Sequence, residues 1–218
     1  MTTTRIRSMS YPNLDLEREL LQSHRLVIGI DEVGRGALAG PVAVGAFGLN
    51  ADGLHSMPTD LRDSKLVTEK KRAPLALQVA SWGQPSVGFS DVEVIETKGI
   101  NFALQKAALN ALEKFDLTGA IVLLDGSHNW LGDIGIEVRV IVKADRDCGS
   151  VSGGAISAKV ERDSLMAKLG QEFPAYGWGG NKGYSSPSHI AALRQIGPSS
   201  HHRLSWLTKI LADDNGLF

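Results

Sequence analysis

The sequence contains a single cysteine, Cys148, among 218 residues. An internal disulfide and any cysteine-rich zinc site are thereby excluded, and the chain fits a reducing compartment such as the cytoplasm. No run reaches the roughly 18 uninterrupted apolar residues that a membrane helix needs. The first residues, Met1-Thr2-Thr3-Thr4-Arg5-Ile6-Arg7, have no apolar stretch behind them and do not read as a secretory signal. Internal repeats and low-complexity linkers are missing. So is any excess of charge: 23 Lys and Arg face 24 Asp and Glu, for a net charge of −1. That balance argues against a protein that coats nucleic acid by electrostatics alone. It leaves room for a local basic cleft around an acidic centre. With 43% hydrophobic and 22% charged residues, the chain is neither disordered nor collagen-like.

Residues 1–12 read as a loose leader ending at Pro12, after which Asn13 caps a short helix through Leu14, Leu16, Glu17, Leu20 and Leu21. Arg25–Ile30 is a strand-length apolar run that ends in Asp31-Glu32, and Val42–Phe47 is a second. Gly34, Gly36, Gly40 and Pro41 punctuate the link between them, which predicts a hairpin. Further strands are expected at Val87–Phe89, at Ala120–Leu124 running into Asp125-Gly126, and at Val138–Val142 ending in Lys143-Ala144-Asp145. Helical spacing marks 100–114 and 152–169, the latter with Ile156, Val160, Leu165, Met166 and Leu169 as its buried face. Ser186-Pro187 opens a helix to about Gln195, and a last helix and tail fill 207–218 from a start near Leu204. The pattern predicts one α/β domain with a mixed sheet and a mostly helical C-terminal portion flanking a cleft.

Acidic residues stand at the ends of three predicted strands: Asp31 and Glu32, Asp125, and Asp145. In open α/β sheets that edge is where sites are built. Carboxylates brought together repel one another unless a positive charge neutralises them. With no cysteine cluster or histidine set, the fitting neutraliser is a hard cation held by oxygen, Mg²⁺ or Mn²⁺. Such clusters serve phosphodiester cleavage, one ion activating water and another stabilising the leaving oxygen. Asp31 and Glu32 are neighbours, so both reach one site only if the strand ends or twists there. Gly34-Arg35-Gly36-Ala37-Leu38-Ala39-Gly40 also fits a dinucleotide-binding loop. Its context is wrong, because Pro41 and a strand follow where a helix N-terminus should receive the pyrophosphate.

The run Gly29-Ile30-Asp31-Glu32-Val33-Gly34-Arg35-Gly36 followed by Leu38-Ala39-Gly40-Pro41-Val42 resembles the signature of the bacterial type 2 ribonucleases H, the ribonuclease HII family. Matches continue in order through Asp63-Ser64-Lys65, Leu124-Asp125-Gly126, Val142-Lys143-Ala144-Asp145, Ala158-Lys159-Val160-Glu161-Arg162-Asp163, Asn181-Lys182-Gly183-Tyr184 and His202-Arg203-Leu204-Ser205-Trp206. The resemblance implies an RNase H-like fold and an endonuclease for the RNA strand of RNA–DNA hybrids and for single ribonucleotides in duplex DNA. By the same resemblance, Asp31, Glu32, Asp125 and Asp145 hold one or two Mn²⁺ or Mg²⁺ ions. Gly34, Arg35 and Gly36 read the ribose 2′-hydroxyl through backbone groups, and Tyr184 stacks on the next sugar and helps sense the RNA-to-DNA junction. Ala144, Asn181 and the pair Gly153-Gly154 depart from the family's usual pattern, and the two glycines are expected to loosen the start of their helix.

Other residues carry plainer expectations. Asp163 reads as a capping or salt-bridge partner. Lys65, Lys143, Lys182 and Arg203 are candidate phosphate contacts or solvated surface charges. His128, His189, His201 and His202 read as surface groups or as neighbours of the site, not metal ligands. The terminal Leu217-Phe218 faintly resembles the peptides by which repair proteins grip a sliding clamp, set against a frayed tail. A small-molecule phosphotransferase, a non-catalytic hybrid-binding module and a type 3 ribonuclease H are the rival readings. The last usually carries an extra N-terminal domain, for which the residues before Arg25 leave no room. A monomer is expected.

Overall fold

A computed structural model describes residues 11–212. Among them, five strands form one mixed sheet in the order β3-β2-β1-β4-β5. Strands β1 (Leu26–Val33) and β2 (Val42–Leu49) form the expected antiparallel hairpin, joined by the glycine-containing loop 34–41. β3 (Gln84–Ser90) extends it on one side. β4 (Ala120–Asp125) and β5 (Glu137–Ile141) add on the other side, parallel to β1, so the carboxyl ends of β1, β4 and β5 share one sheet edge.

Helices are α1 (Asp15–Leu20), α2 (Glu69–Trp82), α3 (Val92–Lys98), α4 (Ile100–Leu112), the one-turn α5 (Ala144–Asp147), α6 (Gly149–Glu172), the short α7 (Trp178–Asn181), α8 (Pro187–Ile196) and α9 (Leu204–Ala212). Helix α4 turns Ala103, Leu104, Ala107, Ala108 and Ala111 onto one face of the sheet, against Ile28, Ile30, Val44 and Val122. Helix α6 covers the other face. With both faces covered, β2 is buried at every residue, which is why its sequence is unbroken apolar rather than alternating. Asn13 stands one residue before the capping position, which Leu14 takes with no side-chain cap, and its side-chain oxygen accepts from the Asp15 N–H at 2.8 Å. Ser186 caps α8 as expected, accepting from the His189 N–H at 3.1 Å with Pro187 behind it.

Glycine decides how closely α6 approaches. A β-carbon on Gly45 would lie 2.0 Å from the carbonyl oxygen of Gly154, and one on Gly29 would lie 2.2 Å from the Ser150 carbonyl carbon. Gly154 and Gly153 face the Gly29 and Gly45 carbonyls and the Phe47 ring in turn. The expectation that Gly153-Gly154 loosen the helix is therefore corrected. They are the surface on which it lies, and what they lack in intrinsic helix propensity is offset by backbone-to-backbone packing. The helix runs three residues longer at each end than the predicted 152–169. Its buried face is also different: every residue from Gly149 to Ala158 is buried, whereas Val160, Leu165 and Leu169 are only partly covered.

Helices α2 and α3 have no counterpart in the sequence reading. Pro74 lies inside α2, whose first turn carries Lys70, Lys71 and Arg72, yet Leu75, Val79 and Trp82 still reach a common core with Phe47, Leu49 and Leu61. In the C-terminal portion, Tyr176, Trp178, Leu193 and Leu207 pack with Leu38 and Ala39 of the glycine loop and with Met166 of α6. Cys148 lies buried between α5 and α6. Burial, with Glu17, Asp147 and Asp125 nearby, pushes its thiol up to about 12.

Gly45→Ala is expected to destabilise the fold by about 2 kcal/mol, the scale of core overpacking. Gly179→Ala, where a β-carbon meets nothing within 4 Å, serves as the control. Urea unfolding of both variants checks this, and an unchanged midpoint for Gly45→Ala would contradict the close packing.

Candidate active site

The parallel register sets the first two acidic positions side by side. Ile30 pairs with Leu124, so Asp31 and Asp125 follow on adjacent strands. Asp145 lies not on β5 itself, as the sequence suggested, but on α5 just beyond it. Lys143 makes the turn in the left-handed region (φ 63°), and the Ala144 N–H donates to Asp125 Oδ1 at 2.7 Å. That bond ties the end of β4 to the start of α5. The Asp31 carboxylate is 5% exposed and accepts from the Glu32 N–H at 2.8 Å. β1 continues through both residues to Val33, yet Asp31 and Glu32 both border the same cleft.

Their electrostatics show the crowding. Burial first, then the charges of Glu32, Asp125 and Asp145, hold the Asp31 carboxyl well above its ordinary value. Burial and Asp125 raise Glu32, with Arg35 opposing at 3.5 Å. Burial, Asp63 and Asp125 raise Asp145. The one ammonium among them is Lys65, whose Nζ is 3.7 Å from Asp145 Oδ2. Burial pulls its own value down, but Asp31, Asp63, Asp145 and Asp125 outweigh that and raise it. Every donor here is an oxygen. Among the described residues, no group of three or more His, Cys, Asp or Glu side chains stands ready to coordinate an ion as it lies.

The glycine loop is held by two buried arginines. Arg203 donates from Nη2 to Gly34 O at 2.8 Å and to Gly40 O at 2.9 Å, and from Nη1 to Arg35 O at 2.8 Å. The expectation of a phosphate contact is corrected for this residue, which is fully buried and spends its donors on carbonyls. Arg162 of α6 donates to Pro41 O, Ala39 O and Lys182 O. Gly34 and Gly40 adopt φ values of 85° and 81°, a conformation that glycine reaches without strain. The Gly34 N–H donates to the Tyr184 hydroxyl at 3.1 Å, so one of the backbone groups expected to read a sugar already has a protein partner. Arg35 is braced on its far side by Asn101 Oδ1 at 3.2 Å.

These elements border a cleft of about 470 Å³ lined by Asp31, Glu32, Lys65, Arg72, Lys159 and Tyr184 around Gly34 and Gly36. Asp163 is the salt-bridge partner expected, at 2.7 Å from Lys159 and 3.3 Å from Arg72. Sequence reasoning missed Arg72, whose only signal was a place in a charged stretch, and gave no role to Lys159, although it stands in a matched motif. Lys182 is not brought to this cleft. Its ammonium donates to Gly179 O and pairs with Glu69 Oε1 at 3.0 Å. Asn181, one of the departures noted above, braces the same turn by accepting from the Gly183 N–H and donating to Tyr176 O.

His189 and His202 lie in the core, not at the surface, at 0% and 1% exposure, while His128 is exposed and His201 packs on Phe173. Trp178 Nε1–H donates to His189 Nε2, so His189 carries its proton on Nδ1 and donates to Tyr184 O at 2.9 Å. His202 Nδ1 accepts from the Ser199 N–H, which leaves its Nε2–H aimed at His189 Nε2, 3.0 Å away. A further proton on either ring would face a donor already in place. Burial depresses both, His202 to about 4.

Residues 28–209 match the family model described as ribonuclease HII. The chain is 42% identical over 198 residues to a ribonuclease HII of Streptomyces avermitilis, covering 89% of this chain and 83% of that one. Its fold is similar to ribonuclease HII of Archaeoglobus fulgidus, solved in complex with PCNA, with a TM-score of 0.70 and 25% identity over 83% of this chain and 95% of that one. It is also similar to Bst-RNase HIII in complex with Mn²⁺, with a TM-score of 0.66 and 17% identity over 90% of this chain and 72% of that one.

The histidine pair sets a pH dependence. The unfolded chain takes up protons at an ordinary histidine value near 6.5, whereas folded His202 does so only near 4. Stability supplied by the neutral pair is therefore complete above about pH 6.5 and is lost as pH falls toward 4. Thermal unfolding followed across that range should show this decline. His202→Asn, which keeps an acceptor for the Ser199 N–H and does not titrate, should flatten it. An equal slope in both proteins would contradict the assignment.

Proposed function

The chain belongs to the ribonuclease HII family of ribonuclease H hydrolases, which cut the RNA strand of RNA–DNA hybrids. From that premise we propose that it also cuts duplex DNA at single embedded ribonucleotides, on their 5′ side, leaving a 3′-hydroxyl and a 5′-phosphate. Its role would be ribonucleotide removal during replication and repair. We read residues 1–218 as one catalytic domain acting as a monomer in the cytoplasm. Among the described residues, no helix is long and apolar enough to cross a membrane.

The observation that carries this reading is the mutual repulsion of Asp31, Glu32, Asp125 and Asp145 at neighbouring strand and helix ends, with Asp31 and Glu32 lining the cleft beside the glycine loop and Tyr184. An all-oxygen donor set under like-charge repulsion suits a hard divalent cation, and these four carboxylates would hold one or two Mg²⁺ or Mn²⁺ ions. When bound, such ions supply a nucleophile at neutral pH and neutralise charge on the leaving oxygen.

The chain's own groups do the rest. Asp31 and Asp125 are fixed by the backbone bonds described above, so their carboxylates keep a single orientation. Lys65 offsets their charge and is free at its exposed end to meet a phosphate. A β-carbon at Gly36 would meet open space, which leaves room for a sugar to approach the backbone. The Gly34 N–H and the Tyr184 hydroxyl form a preset polar pair for the 2′-hydroxyl. The Tyr184 oxygen already accepts from the Gly34 N–H, so its own O–H is the group a 2′-hydroxyl would satisfy; a deoxyribose would leave that O–H without a partner, and an unpaired polar group of this kind gives strong discrimination. Arg35 is oriented by Glu32 and Asn101 at the cleft edge. Lys182 would contact a phosphate only by exchanging Glu69 for it.

Leu217 and Phe218 lie outside the described residues. A relative of this fold is solved in complex with PCNA, and we assign the terminal pair to a sliding-clamp contact.

Labelled duplex DNA with one ribonucleotide, incubated with Mg²⁺, Mn²⁺ or chelator, tests the reaction. Cutting 5′ of the ribonucleotide should require the ion. Asp31→Asn and Asp125→Asn should each fall to the level of the chelated wild type while unfolding at a similar temperature. Full activity in either variant with Mg²⁺ would overturn the assignment. A chain lacking Leu217 and Phe218 should keep its cleavage rate and lose clamp binding in a pull-down or by calorimetry. Undiminished binding would dispose of the contact.

A further inference from the structure

Arg162 is a fully buried cation with no carboxylate among its hydrogen-bond partners. Its neighbour Asp163 is engaged by Lys159 and Arg72 instead. An apolar side chain of similar volume would fill the same space without the cost of burying a charge. What the guanidinium does is join two segments. Nε and Nη2 donate to Pro41 O at 2.9 Å and Ala39 O at 3.1 Å, at the far end of the glycine loop. Nη1 donates to Lys182 O at 3.0 Å, and the Tyr184 ring lies 5.5 Å away over the same cation. A β-carbon on Gly34 would fall 2.0 Å from Nε, so the near end of the loop rests directly on the guanidinium.

One planar group thus touches both ends of the loop and both sides of Gly183, whose carbonyl accepts from the Leu38 and Ala39 N–H groups. Arg203 has a different reach, since its hydrogen bonds all end on the loop, at Gly34, Arg35 and Gly40. Only a rigid fork of donors serves three carbonyls in different directions at once; the ammonium of lysine does not.

We propose that Arg162 is a positioning residue that fixes the separation of the glycine loop from Tyr184 and thereby sets where the chain cuts relative to an RNA–DNA junction. The inference rests on the reading of those two segments as substrate contacts.

The test uses a chimeric RNA–DNA strand annealed to complementary DNA, with cut positions mapped for wild type, Arg162→Lys, Arg162→Met and Tyr184→Ala. Wild type should favour one position at the junction. Both Arg162 variants should still cut within the RNA when Mg²⁺ is supplied, but with that preference reduced at least tenfold. Arg162→Met removes the buried charge and fills its space, so it covers the case in which the lysine variant does not fold. Because Arg162 acts through Tyr184, adding Arg162→Met to Tyr184→Ala should change the preference by less than twofold. Retained preference in a folded Arg162 variant overturns the positioning role alone. Losses that multiply in the double variant do the same. A wild type with no preferred position overturns the junction-reading role of Tyr184, and this proposal with it.

Discussion

The contact that everything else depends on is the backbone-to-backbone seating of α6 across β1 and β2. Gly29 and Gly45 on the strands meet the main chain of Ser150, Val151 and Gly154 on the helix with no side chain between them. A helix held that close has its position fixed by hard main-chain atoms rather than by compressible side chains. Two things follow along its length. At its N-terminal end, the short α5 and Asp145 are delivered next to the ends of β1 and β4. Further on, Lys159 and Arg162 arrive beneath the loop and beside Tyr184. The acidic and basic groups of the cleft are both set by the placement of one helix.

The two kinds of charge are managed by different means. The carboxylates are crowded together with a single ammonium, Lys65, set against them, so their repulsion is only partly relieved within the protein. The buried arginines are surrounded by carbonyl oxygens, each a partial charge in a fixed direction. The first arrangement leaves negative charge unbalanced within the protein. The second is complete in itself and serves geometry. Separating these tasks lets the loop hold its shape whatever the occupancy of the acidic cluster.

What could be read in advance followed from local patterning. Asp125 closes a strand that is apolar without interruption, and Asp31 and Glu32 follow such a run near the end of theirs, so their place at a sheet edge was evident, as was the Ser186 cap. The hairpin, the mixed sheet and the flanking of the cleft by the helical C-terminal portion also agree with the reading. What was hidden depended on contacts distant in the chain. The first half of α6 is buried all round by glycine and serine, which erases a 3.6-residue hydrophobic period. Pro74 and a cluster of cations masked α2. Arg162 and Arg203 have carbonyl partners, which leave no complementary residue in the sequence to find. His189 and His202 looked like candidates for the surface because their partners, the Trp178 indole and the Ser199 main chain and hydroxyl, are uncharged and leave no complementary charge in the sequence. Lys182 was placed by its motif, which says nothing of Glu69 more than a hundred residues earlier.

The lone thiol has a consequence of its own. Cys148 is enclosed at the junction of α5 and α6, and its proton stays on at any physiological pH. Peroxide and electrophiles attack the thiolate, so this sulfur offers them almost nothing. With no other cysteine, the chain therefore presents no reactive thiolate, and oxidants that act through thiolates find no target in it.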